Sequence, residues 1–246
     1  MSDKRSNFFE YDWQYEQRPA RFVVDMQLRE QAHARPFLLQ LCCQTREDAP
    51  LASRALRHIE AIQKKCEKTM DVRFAGSIQD QSRRILFFYT PAPEALEQAE
   101  AILSRERLLR CAALLREDAA WEAYDRLLYP DSAKLYTEQN RRQIALLEKH
   151  GDALLPNRRI TLHLYFPAEP LLGLFIESAR LAGFAVGAPE FAPEQELPYG
   201  IALHRISALT KQGLDRLTTQ AIYLAAQYDG QLMSWSCPIT KKSPLR

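Results

Sequence analysis

A chain of 246 residues is long enough to bury the core of one large domain or two small ones, so it needs no disulfide or metal staple. Its 33 basic and 31 acidic side chains leave a net charge of +2, which excludes a whole-chain electrostatic footprint for nucleic acid or anionic lipid. Hydrophobic residues make up 46%, aromatics 10%, and only 8 residues are Gly, which excludes a disordered or fibrous chain.

The opening residues, MSDKRSNFFEYDWQYE, carry no apolar core of signal-peptide length, and no later run reaches the length of a membrane span. A cytoplasmic protein without membrane contact is the expectation. Cys42, Cys43, Cys66, Cys111 and Cys237 are odd in number and contain no CxxC, which points to reduced, mostly buried thiols. Adjacent in the chain, Cys42 and Cys43 would face opposite sides of a strand.

From Arg21 to Leu28 and from Phe37 to Thr45 the chain is rich in Phe, Val, Leu and Cys, which predicts a pair of adjacent strands. The period then changes: Ala52, Ala55, Ile59, Ile62 and Cys66 line one face of a helix over about 52–68. Val72–Ile78 and Ile85–Thr90 flank the polar QDQSRR as a hairpin. Pro93 opens a helix with Leu96, Ala99 and Ile102 inward, and Leu108–Leu115 reads as a strand before WEAYDRLLYP. Asp131–His150 is a polar helix that Gly151 stops, expected to act as a connector.

Beyond Pro156, Ile160, Leu162 and Leu164 alternate with Thr161, His163 and Tyr165 as a strand with one differently packed face. A helix carrying Leu171, Leu172, Phe175 and Ala179 ends at Gly183 with Phe184 behind it, a C-terminal signal. Phe184–Gly187 and Tyr199–Ile206 are further strands around the Pro-rich loop APEFAPEQELP. A helix after Thr210, with Leu214, Leu217, Ala221 and Leu224, leads through YDG to a closing strand over Gln231–Cys237. Its alternation puts Met233, Trp235 and Cys237 under the helices, opposite Leu232, Ser234 and Ser236. In YDG, Asp229 and Gly230 supply the left-handed residue and tight turn that end a helix.

The order β-α-β-β-α-β is the ferredoxin-like split arrangement, and the first half gives a looser version with one extra strand. The predicted class is therefore α+β: two ferredoxin-like antiparallel-sheet domains, 1–130 and 156–246, joined by a helical connector over 131–155.

The segments RRITLHLYF, ARLAGFAV, YGIALHRIS and AAQYDG, within residues 158–238, resemble the family of the regulator of ribonuclease E activity B, small bacterial inhibitors of an RNA-degrading endonuclease. Gln231 stands after YDG where that family commonly has an aromatic. YDWQYEQRPARFVVDMQL, SRRILFFY and DAAWEAYDRLLYP resemble the domain of unknown function DUF six-nine-five, and LEKHGDALLPNRRITLHLYF resembles the junction where the two families are fused. The first resemblance implies a ferredoxin-like fold and a protein partner, and the second implies no activity.

The candidate partner-binding residues are Glu190, Phe191, Glu194 and Glu196 of the acidic loop, together with His163 and His204. Its Pro residues keep the loop out of a sheet, so it would present Phe191 inside an acidic rim, a combination suited to a basic protein. A loop folded back on its own domain is the plainer reading. His163 and His204 would sit side by side on the uncovered sheet face, where two imidazoles can bind a metal or form a pH-sensitive surface, although a hydrogen-bonded pair is favoured. Arg141, Arg142, Arg158 and Arg159 can touch phosphates, but without interleaved aromatics they are expected as solvated helix ends, and direct nucleic-acid binding is not expected. Trp13, Tyr15, Trp121, Tyr124 and Tyr129 bracket the first domain as core or seam. GxSxG, HExxH, GxxxxGK[ST] and GxGxxG are absent, and His33, His58, His150, His163 and His204 are scattered. No catalytic residue, metal ligand or cofactor is assigned. The leading expectation is a non-catalytic protein-binding regulator, with a nuclease or other RNA-processing protein as the candidate partner; the alternatives are an enzyme with a site between the domains and an immunity-type antidote that binds a toxin.

Overall fold

Alternating aromatic and aliphatic residues give the first unit its strands, and a shift to three- and four-residue spacing gives it its helices. The computed structural model describes residues 8–28, 34–154 and 157–241, so His33 and the expected start of the second domain at 155–156 lie outside the described residues. The chain divides into two units, Met1–Pro130 and Asp131–Arg246.

In the first unit the order is β1 (Phe8–Tyr15), β2 (Arg18–Asp25), β3 (Phe37–Gln44), α1 (Ser53–Thr69), β4 (Arg73–Gln79), β5 (Arg83–Thr90), α2 (Ala95–Leu103) and β6 (Arg110–Glu117). The antiparallel sheet runs β1-β2-β4-β5-β3-β6. Its β3-α1-β4-β5-α2-β6 part has the split βαββαβ order, and the β1–β2 hairpin extends it beyond β4. Two expectations change here. The segment before Arg18 is a strand, turned at Glu16 and Gln17, which both take left-handed backbone as a two-residue hairpin requires. The 21–28 and 37–45 strands are not neighbours: β2 pairs with β1 and β4, while β3 pairs with β5 and β6. In a split arrangement the strand before the first helix lies between the third and fourth strands, so sequence neighbours separate.

Both faces of this sheet are covered. Leu39, Leu41, Cys43, Phe74 and Phe88 meet Ile59 and Ala99 of the helices on one side. On the other, Val24, Ile78, Phe87 and Tyr89 meet Trp121, Tyr124 and Leu128, which stand on or beside a π-helical turn over Ala123–Leu128. Asp118 holds that segment down. Its carboxylate accepts hydrogen bonds from Tyr89 Oη (2.6 Å) and from the Glu122 and Ala123 amides (2.8 and 3.1 Å). The Trp121 ring stacks on Tyr89 at 3.8 Å between centroids, and its Nε1 donates to Arg35 O. Trp121 and Tyr124 are thus core, with Trp13, Tyr15 and Tyr129 packed at the margin.

The second unit contains α3 (Ser132–Lys149), β7 (Arg158–Phe166), α4 (Glu169–Leu181), β8 (Ala185–Val186), β9 (Glu190–Phe191), β10 (Tyr199–Ser207), α5 (Lys211–Ala226) and β11 (Gln231–Ser236). The sheet order β11-β7-β10-β8 is again the split βαββαβ order, with β9 on the free part of β10. The protein is therefore α+β with two ferredoxin-like antiparallel sheets. Asp131 caps α3 by accepting from the Lys134 amide. The helix read from sequence as a connector packs on α5 inside the second unit.

β11 carries a bulge. Leu232 pairs with Leu164 and Ser234 with the adjacent His163, so Met233 is an extra residue. The strict alternation expected from sequence fails there: Leu232 and Trp235 both face the helices, each 7% exposed, while Met233 is 58% exposed. Trp235 Nε1 donates to Asn140 Oδ1 of α3 (2.9 Å), and Asn140 Nδ2 donates to Asp215 Oδ1 (3.0 Å) and Thr218 Oγ1 (2.9 Å) of α5. The YDG turn closes α5 as a Schellman motif: Gly230 N donates to Ala225 O, Asp229 N donates to Ala226 O, and Asp229 has φ 55°. Gly230 is required for space, because a Cβ there would overlap the Phe166 ring.

Trp235→Ala should cost about 3–5 kcal/mol in urea unfolding, whereas Trp235→Phe, which leaves Asn140 Oδ1 without its donor, should cost about 1–3 kcal/mol. Met233→Ala and Ser234→Ala should each fall within about 0.5 kcal/mol of wild type; a Met233 cost equal to that of Trp235→Ala would place the bulge elsewhere. The two units are proposed as separately folding domains. Limited proteolysis should then cut near Pro130 and leave a stable fragment that retains α3; a stable fragment that starts after α3 would contradict this.

Candidate functional site

Only two residues of β8 pair with β10, at Val186↔Leu203 and Ala185↔His204, so the N-terminal half of β10 lacks a partner there. Ala188 and Pro189 carry the chain back to it. Glu190 then pairs with Gly200 and Phe191 with Tyr199. The acidic loop was expected to stay out of the sheet; its first residues instead complete the edge, and Ala192 N donating to Pro198 O closes the remainder. Phe191 stays 62% exposed, with its ring 5.0 Å from Tyr199's.

Beside this short strand, α4 contributes Glu169, Leu172, Gly173 and Ile176 to a groove of about 420 Å³, whose other wall is Pro189, Glu190, Phe191 and Tyr199. No atom lies within 4 Å of where a Gly173 Cβ would stand, so this position leaves the groove wide. Leu172, Ile176, Pro189 and Phe191 give it apolar side chains on both walls, and among the described residues the charged side chains lining it are the carboxylates of Glu169 and Glu190. Glu194 and Glu196 are exposed further along the same loop. Leu174 and Leu181, also on α4, are exposed apolar side chains. Sequence reasoning found the loop half of this site and missed the α4 half. Leu172 read simply as helix core, Ile176 was not singled out, and the groove exists because β9 folds against β10.

His163 and His204 lie on the sheet face away from the helices, on neighbouring strands, but diagonally: His204 pairs with Thr161 and His163 with Ala202. Arg159 Nη2 donates to His204 Nε2 (2.8 Å), which fixes the tautomer, and the remaining N–H at Nδ1 meets Thr161 Oγ1 at 3.0 Å. Burial, then the charges of Arg159 and His163, hold the His204 imidazole below the usual histidine range. His163 Nε2 is 3.4 Å from Ser236 Oγ. The structure therefore brings these residues onto one face but not to the groove, and among the described residues no group of three His, Cys, Asp or Glu can hold a metal ion.

The four arginines have separate fates. Arg141 and Arg142 pair with Glu138 on the exposed side of α3 (2.6 and 3.0 Å). Arg158 and Arg159 are strand residues rather than helix ends, because the alternation of β7 begins at them. Arg158 is buried against Asp152 at 2.7 Å. Asp152 also accepts from the Leu154 and Thr240 amides, and Arg158 Nη1 reaches Pro238 O, so this pair fastens the segment after β11 to the start of β7. The Arg158 guanidinium and these amides pull the Asp152 carboxyl down to about 2. Nothing local in the sequence marks Asp152, because its Thr240 partner lies 88 residues away.

Asp152 titrates below the ordinary 3.8 in the folded state, so its contribution is complete above about pH 4 and is lost as pH falls through about 2. It should amount to about 2 kcal/mol. Asp152→Asn should cost about 3–5 kcal/mol at pH 7 by stranding Arg158 and should flatten the stability profile below pH 4. Denaturant midpoints measured from pH 7 to pH 2 check both, and parallel profiles for the two proteins would remove Asp152 as the titrating group.

Residues 10–129 match a family of unknown function, DUF695, and residues 137–237 match regulator of ribonuclease activity B. The N-terminal half thus resembles the first family and the C-terminal half the second, whose description is that of a regulator of ribonuclease activity. No curated protein matches the chain. Among solved structures the chain is similar to a putative glycine cleavage system transcriptional repressor, at 8% identity over 83% of this chain and 98% of that one, with a TM-score of 0.27. It is also similar to an unknown protein from Galdieria sulphuraria, at 7% identity over 83% of this chain and 99% of that one, with a TM-score of 0.23. No helix among the described residues is long and apolar enough to cross a membrane.

Proposed function

We propose that the protein is a non-catalytic, cytoplasmic regulator that acts by occupying a partner's surface, and that the partner is a ribonuclease or another RNA-processing protein. The match of residues 137–237 to a family of ribonuclease regulators supports the partner class. The groove between α4 and β9 carries the reading of how it binds. Apolar side chains on both walls with two carboxylates among them are matched by a basic segment bearing an aliphatic or aromatic anchor. Glu190, Glu194 and Glu196 steer the encounter, and Phe191, already ordered by Tyr199, supplies burial at small entropic cost. His163 and His204 form a second, separate face of the same unit.

The test begins with capture of partners on the intact protein, followed by association kinetics with the captured protein. Reversal of Glu190, Glu194 and Glu196 to Lys should slow association roughly 10-fold and invert its salt dependence. Phe191→Ala should speed dissociation by roughly 10-fold or more. Glu122→Lys, on the first unit, is the control and should change neither rate. Unchanged rates in both groove variants would exclude the groove and leave the face of His163 and His204 as the binding surface.

A further inference from the structure

β3 and β6 are neighbours in the first unit, and their register sets Cys43 directly opposite Cys111. Directly opposed residues of an antiparallel pair have Cα atoms roughly 4.5–5.5 Å apart and side chains on one face, which lies within the roughly 4.4–6.8 Å that a disulfide spans. Both thiols are free and both point to the side covered by α1 and α2. Cys43 is fully buried in that core, whereas Cys111 packs at its margin and is partly exposed. β6 is the edge strand of the sheet, so a small reagent reaches Cys111 first, with Cys43 behind it. Cys42, next in the chain, faces the opposite core.

We propose that Cys43 and Cys111 form an oxidisable dithiol at which a peroxide-class oxidant links β3 to β6 through a cross-strand disulfide. Partly exposed on the edge strand, Cys111 is the attacking thiolate and Cys43, buried behind it, the resolving thiol. The neighbouring sulfur and burial raise the Cys43 thiol above the usual range, while the Cys43 side chain holds Cys111 below it against burial and the Glu106 charge. Its sulfur attacks the O–O bond of the peroxide; an S–O bond forms, the O–O bond breaks, and the leaving oxygen takes up a proton as an alcohol or water. Cys43 sulfur then attacks the Cys111 sulfenic acid, the S–S bond forms, and hydroxide leaves with the Cys43 proton as water. Two thiols and one peroxide thus give one disulfide, one alcohol or water, and one further water. A dithiol reductant reverses the change.

The experiment exposes the reduced full chain to hydrogen peroxide, blocks remaining thiols with N-ethylmaleimide in denaturant, and maps non-reduced peptides by mass spectrometry. The expected product is a Cys43–Cys111 linked peptide, abolished by dithiothreitol, with an intact mass lower by two hydrogens. Cys42→Ser should keep the link and Cys111→Ser should remove it. Because the wild-type map is decisive alone, a variant that folds poorly does not blunt the test. Recovery of Cys43 and Cys111 both as alkylated thiols, a Cys111 sulfinic acid beside an alkylated Cys43, or a link through Cys42 would overturn the proposal.

Discussion

The Asn140 side-chain amide is the point at which three elements of the second unit meet: its oxygen receives the Trp235 N–H of β11, and its nitrogen donates to Asp215 and Thr218 of α5. Asn140, Thr218 and Trp235 are buried, with Asp215 half-buried at the edge, and in such a place an unmade hydrogen bond costs far more than a made one contributes. The amide can point only one way, because its reversal would set its oxygen against the Asp215 carboxylate. The arrangement ties α3 to α5 and dictates which residue of β11 faces inward. Trp235 must reach Asn140 and Leu232 must fill the space above Leu164, and a regular strand cannot place residues three apart on one face. The bulge at Met233 resolves that conflict.

Asp118 plays the equivalent part in the first unit. A single carboxylate receives a tyrosine hydroxyl and two backbone amides, and so fastens the segment that covers the second face of the sheet. DAAWEAYDRLLYP and AAQYDG, two of the segments that carry the family resemblances, are thus explained by packing: Asp118, Trp121 and Tyr124 build a seam, Asp229 ends a helix, and Gly230 makes room for Phe166. Motifs of this kind specify a fold and leave the choice of partner to surfaces outside them.

Sequence periodicity located α1 to α5 and most strands, but not the π-helical turn over Ala123–Leu128. The Gly183–Phe184 end of α4 was legible for a local reason, since a left-handed glycine and a following hydrophobic residue lie side by side in the chain. What stayed hidden was set by distant partners. Met233 faces outward because of Asn140, about ninety positions earlier in the chain. Arg158 is buried because Asp152 and Thr240 converge on it. β2 and β3 separate because β4 and β5 insert between them. Of the candidate site, the exposed Phe191 and its acidic neighbours were legible, since Pro residues and carboxylates keep a loop at the surface. The α4 wall was not, because Leu172 and Ile176 carry the same periodicity whether or not a groove runs beside them.

The two exposed faces of the second unit differ in what a partner would have to displace. On the open sheet face the polar atoms are already matched to one another: His204 takes a hydrogen bond from Arg159 and meets Thr161, and His163 lies near Ser236. A partner docking there strips water from groups whose best bonds are internal, and gains little beyond contact with Ile206 and Met233 at the margins. In the groove, the Leu172, Ile176 and Phe191 side chains would gain by losing water, and the Glu169 and Glu190 carboxylates would stay hydrated until a cation replaced that water. Phe191 would contribute there with its ring already against Tyr199 and its backbone already in the β9–β10 pairing. This asymmetry makes the groove the stronger candidate for partner binding.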